Sequence, residues 1–159
     1  KDFSLFEQFS IIPSVQPTHA TSDMYWAEKR IGPFRIRGAY AFNDLLKQNG
    51  WLPLGTDFPV EDIDPIKTFY ASVFRKDAKG WPADGFQTEN ALTREATLRG
   101  MTIWAAKSNF EEKEKGSIEA GKFADFVILD TDLMTATFEQ VLKTKVTKTV
   151  CNGEIVFSN

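Results

Sequence analysis

Two short apolar runs, IIPSVQP (11–17) and WLPLGTD (51–57), flank a stretch with helical spacing, and that alternation restricts the fold most. Runs of this length bounded by turn residues read as buried strands. Between them lies GAYAFNDLLKQNG (38–50), with Ala39, Phe42, Leu45 and Leu46 on one helical face and Asn49-Gly50 as the stop. Strands alternating with helices imply parallel β/α units. Pro13 makes the opening of the first strand irregular. Two such strands cannot close a barrel by themselves.

The flanking segments extend the pattern. Residues 2–9 predict a short amphipathic helix with Phe3 and Phe6 on one face. Residues 18–35 are polar, aromatic and proline-punctuated, and read as a long loop with a helical patch. DPIKTFYASVF (64–74) predicts a helix capped by Asp64, with Pro65 in its first turn and Ile66, Phe69, Tyr70 and Val73 facing inward. Residues 75–91 read as loop, and 92–110 as one helix capped by Thr93. From about Gly116 the chain reads as all-β, with a strand within 121–130 and a hairpin over 146–157 around Asn152-Gly153.

Composition narrows the function classes. Fourteen Phe and four Trp favour a large buried face. A net charge of −3 argues against a phosphate-backbone partner, which wants a clustered positive field. KTKVTK (143–148) alternates cations with other residues and reads as the wet face of a strand. No stretch approaches the roughly 20 apolar residues of a membrane helix. Neither nucleic acid nor membrane is therefore expected as a partner. The chain opens on KDFSLFEQF without a methionine, which leads us to expect a cut from something longer.

Metal-binding residues are scarce. One cysteine, Cys151, and one histidine, His19, fall short of a self-contained zinc site, which draws three or four ligands with His or Cys among them. Asp57, at the tip of the second apolar run, is the one carboxylate openly displayed. From pattern alone it either caps the turn before Pro59 or serves as a catalytic group. A divergent metal site from His19, Asp57 and neighbouring carboxylates is a minor third reading.

Five stretches taken in order resemble the C-terminal part of metal-dependent hydrolases of the amidohydrolase superfamily. They are SVQPTHATSDM (14–24), IGPFRIRGAYAFNDLLKQNG (31–50), GTDFPVEDIDP (55–65), ALTREATLRGMTIWAAK (91–107) and EKGSIEAGKFADFVILDTDLM (114–134). The branch they resemble includes the N-substituted formamide deformylases. The resemblance implies an α/β fold made of the last β/α units of a TIM-type (β/α)8 barrel, followed by strands of a small β-sandwich. Residues 1–112 would be the barrel share and 113–159 the sandwich share.

The same resemblance implies a divalent metal, zinc, held by ligands upstream of Lys1. Asp57 would contact that metal and move protons as general base and acid while a C–N bond of amide type is hydrolysed. His19 would line the pocket or support the site from behind. Asp23, Trp26 and Arg35 are further pocket candidates. Arg35 would either bind a substrate carboxylate or pair with Asp23, the pairing being favoured. Glu61 and Asp62 read as acids that favour the dipole of the helix beginning at Asp64-Pro65. The isolated chain would be inactive and would need the upstream part of its own protein. Open sheet edges would lead it to self-associate as a homo-oligomer. A non-catalytic binding module derived from the same fold is the alternative.

Overall fold

The computed structural model describes residues 2–159. The chain is α/β, with eight α-helices and a three-stranded antiparallel sheet among the described residues. None of these helices is long and apolar enough to cross a membrane.

The helices are α1 (Ser4–Gln8), α2 (Pro17–Asp23), α3 (Ala27–Arg35), α4 (Phe42–Asn49), α5 (Pro65–Phe74), α6 (Arg94–Met101), α7 (Ile103–Ser108) and α8 (Phe138–Lys143). The segment 18–35, expected as a loop, holds α2 and α3 instead. Pro17 is the reason for the first: it stands at the first helical position, where its missing N–H costs nothing. Gly32, with φ 83°, and Pro33 break α3 internally.

The two expected strands reduce to one parallel bridge, Val15 to Leu54. The Val15 amide donates to the Pro53 carbonyl at 3.2 Å and the Gly55 amide to the Val15 carbonyl at 3.0 Å. The Leu54 amide donates to the carbonyl of Gly100, at the end of α6. That approach requires glycine: a Cβ on Gly100 would lie 2.6 Å from Leu54 Cγ and 2.8 Å from the Leu52 carbonyl oxygen. Ala20, Phe42, Leu52, Leu54, Leu92 and Ala96 close one core cluster around this point.

Side-chain caps set the starts of α5, α6 and α8. The Asp64 carboxylate accepts from the Ile66 amide at 2.9 Å, and Thr93 Oγ1 accepts from the Ala96 amide at 3.1 Å. The single helix expected over 92–110 is broken at Thr102, whose φ and ψ are −124° and −96°. Its hydroxyl turns back to donate to the Leu98 carbonyl at 2.6 Å, offering the backbone an alternative to the helical ladder.

In the tail, β1 (Phe126–Leu129) pairs antiparallel with β2 (Val146–Cys151), which pairs with β3 (Glu154–Ser158). Asn152 and Gly153 both take positive φ, as the two-residue hairpin turn demands. The tail is not all-β, however. Helix α8 starts with a capping box in which the Thr137 amide donates to Gln140 Oε1 at 2.7 Å and the Gln140 amide to Thr137 Oγ1 at 3.4 Å. Val141 is fully buried and joins Leu133, Ala136, Ile66, Phe69 and Tyr70 in a second core cluster. The tail is thereby packed onto α5.

Candidate functional site

Asp57 follows the Val15–Leu54 bridge in a left-handed conformation, φ 61°. Its carbonyl accepts from the Val60 amide at 2.8 Å and the Glu61 amide at 3.2 Å, closing a tight turn. Thr56 Oγ1 accepts from the Phe58 amide at 3.3 Å. The turn is thus held by the backbone of Asp57 and the hydroxyl of Thr56, and the Asp57 carboxylate is released from capping.

That carboxylate meets His19. Asp57 Oδ2 lies 2.8 Å from His19 Nε2. A carboxylate accepts and does not donate when ionised, so the ring nitrogen is the donor. His19 is carried in the first turn of α2, two residues after Pro17, so a helix rather than a loop aims the ring. Its other nitrogen, Nδ1, lies 3.4 Å from Glu61 Oε1 and 3.9 Å from Asp23 Oδ2. Asp23 already accepts from the Tyr40 hydroxyl at 2.8 Å. Burial, helped by that bond, pushes the Tyr40 hydroxyl well above the ordinary tyrosine range.

His19, Asp23 and Tyr40 line one open cleft of about 380 Å³, together with Gln16 and Gly38. Asp57 itself is not among the residues that line this cleft. Arg35 does not pair with Asp23. It sits at the end of α3 and donates from Nε to the Ile31 carbonyl at 2.7 Å, one turn back, where helix-end carbonyls lack partners. Trp26, half-exposed at the start of α3, is not among the cleft residues. Its neighbour Tyr25 stacks on Trp81 with ring centroids 5.2 Å apart and donates to Asp77.

The acids after Asp57 also differ from expectation. Asp62 accepts from the Asp64 amide at 3.0 Å and pairs with Lys67, which holds its carboxyl below the usual range. Glu61 turns away from the start of α5. Ser22 Oγ donates to Glu61 Oε1 at 2.6 Å, beside His19. Asp64 already satisfies the helix start, which leaves Glu61 available to the ring. The pairing of Ser22 with Glu61, 39 positions apart, leaves no sequence signal.

One buried charge carries no local sequence signal. Arg75, φ 55°, is fully buried just past α5. Its Nε donates to the Phe86 carbonyl at 2.8 Å, and the guanidinium lies 4.9 Å from the Phe42 ring centroid and 5.6 Å from that of Phe86. Burial pushes it down to about 10, against the opposing pull of Glu89. It organises the 85–87 loop rather than the cleft.

Among the described residues, no group of three or more His, Cys, Asp or Glu side chains is arranged to hold a metal ion. His19 Nε2 and Asp57 Oδ2 instead face each other at 2.8 Å. These residues do not by themselves fit a metal.

Sequence and structural relatives define the class and the family of this α/β chain. The sequence model of the amidohydrolase family matches residues 6–157, and the chain belongs to that family. It is 38% identical over 128 residues to protein LONG AFTER FAR-RED 3 of Arabidopsis thaliana, covering 80% of this chain and 22% of that one. It is 30% identical over 100 residues to the N-substituted formamide deformylase of Arthrobacter pascens, covering 63% of this chain and 18% of that one. Among solved structures, an uncharacterized metal-dependent hydrolase from Pyrococcus horikoshii superposes with a TM-score of 0.73 at 29% identity, over 86% of this chain and 28% of that one. The chain thus spans about a fifth of the length of these two curated relatives.

Proposed function

We propose that this chain is the C-terminal share of a metal-dependent hydrolase that cleaves a C–N bond of amide type, other than a peptide bond, in a small molecule. Residues 1–112 are the last β/α units of a TIM-type barrel in this reading, and 113–159 the chain's share of a small β-sandwich. The observation that carries it is the Asp57 carboxylate, freed from capping its own turn and gripped through one oxygen by His19. Family membership supports the reaction class, and the deformylase relative supports the bond type by its name.

A divalent metal, zinc in this reading, supplies an acidified water when bound, and its ligands belong to the upstream part of the same protein. Asp57 is the carboxylate contributed here: it would help hold that ion, accept the proton of the attacking water and pass it to the departing nitrogen. His19 fixes the carboxylate's orientation. The exposed apolar side chains of Ile155, Val156 and Phe157 on β3 support a covering contact by the upstream part or by a second copy, and the chain alone is inactive.

The test is hydrolysis of an N-substituted formamide by this chain joined to its upstream part. Asp57→Asn lowers the rate by about 10²-fold or more. Undiminished hydrolysis by that variant overturns the role of Asp57.

A further inference from the structure

Glu61 carries an inference beyond Asp57 itself. An imidazole has two nitrogens that point apart, so fixing the ring takes a partner on each side. One turn of chain supplies both: Asp57 and Glu61 stand four residues apart, and the Glu61 amide donates to the Asp57 carbonyl at 3.2 Å. That bond brings the two carboxylates to the same ring, Asp57 Oδ2 at 2.8 Å from Nε2 and Glu61 Oε1 at 3.4 Å from Nδ1.

Glu61 is itself held. Its Oε1 accepts from Ser22 Oγ at 2.6 Å, and Ser22 lies on α2 with His19. The serine hydroxyl also lies 3.5 Å from the His19 carbonyl, a longer and weaker alternative for its one proton. Asp23, the other acid near Nδ1, is farther, at 3.9 Å, and is engaged by Tyr40. The arrangement is a chain of contacts from Ser22 through Glu61 and His19 to Asp57, and it ties α2 to the turn at both ends of the ring.

We propose that Glu61, braced by Ser22, is a positioning residue that locks the His19 ring so that Nε2 keeps one oxygen of Asp57 and leaves the other for ligand. Its importance for catalysis rests on the reading of Asp57 given above. Loss of such outer contacts costs on the order of tenfold or more in related sites.

His19 is the chain's one histidine, so its ring signals in a 13C,15N-labelled sample need no assignment among histidines. In the wild-type chain, ring 13C relaxation reports a side chain as rigid as the α2 backbone. Glu61→Ala frees the ring while the backbone amide shifts of α2 and α5 stay in place. Glu61→Gln, whose side-chain oxygen still accepts from the Ser22 hydroxyl and whose amide can face Nδ1, keeps the ring rigid, and Ser22→Ala loosens it. A ring that stays equally rigid in Glu61→Ala overturns the proposal, as does loosening that only follows a general loss of backbone order. Should Glu61→Ala fail to fold, Ser22→Ala decides: a freed ring upholds the proposal and an unchanged ring sinks it. The measurement needs neither metal nor substrate, so failure of the Asp57 reading appears in the hydrolysis assay alone and leaves the ring result standing.

Discussion

Asp57 and Arg75 are both charged, both in left-handed backbone, and both just past an element that helps build a core cluster. Their surroundings differ completely. Arg75 is sealed from solvent between two aromatic faces and bonded to a backbone carbonyl and the Gln87 side chain. The Asp57 side chain keeps 43% of its exposure and faces a titratable ring. A buried charge held by Nε and one terminal nitrogen between ring faces, with its other terminal nitrogen, Nη1, left without a partner, is fixed in one place. A half-open carboxylate braced on one oxygen has an oxygen to spare, and that is the condition for chemistry.

Substitutions sharpen this contrast. Arg75→Ala should cost the most stability, about 3 kcal/mol, because it leaves a void between Phe42 and Phe86 and an unpaired Phe86 carbonyl. Urea unfolding checks it, and a loss under about 1 kcal/mol would break the comparison. Gly100→Ala comes next, at about 2 kcal/mol, since the added methyl must displace Leu54 or the Leu52 carbonyl. Thr137→Ala removes the capping box of α8 and should cost about 1 kcal/mol by the same measurement. Asp57→Asn keeps size and most contacts and should change stability least, by less than about 0.5 kcal/mol.

Alkaline pH offers a further handle. Tyr40 has its hydroxyl raised by burial and by its bond to Asp23, so the folded chain holds that proton where the unfolded chain releases it. Stability from this source is complete below the ordinary tyrosine value of about 10 and falls as pH rises beyond it. Tyr40→Phe should flatten that fall in urea titrations across this range. An unchanged slope would show that the Tyr40–Asp23 contact carries no such weight.

Much of this was legible in the sequence where the signals are local. Asp64-Pro65, Thr93 and Asn152-Gly153 mark their helix starts and hairpin because each acts through backbone groups within a few residues. The TFEQ capping box of α8 is equally local, but the strands on either side dominate the pattern of the tail. Pro17 ends an apolar run in the sequence, yet in the structure it opens a helix. The runs 11–17 and 51–57 are apolar enough for strands, yet a ladder needs neighbours, and here each finds one bridge partner.

For the site, His19, Asp23 and Asp57 are singled out by resemblance to the family. What joins them is long-range: His19 meets Asp57 across 38 positions and Ser22 meets Glu61 across 39, and no spacing rule reports such pairs. Arg35 missed Asp23 because a closer carbonyl on its own helix was available.

The most direct test of the account is the metal content of the purified chain after dialysis against zinc. With His19 and Asp57 bound to each other and the remaining ligands upstream, the account predicts less than about a tenth of an equivalent. Close to one equivalent, lost in Asp57→Ala, would contradict it and make His19 and its carboxylates a metal site of their own.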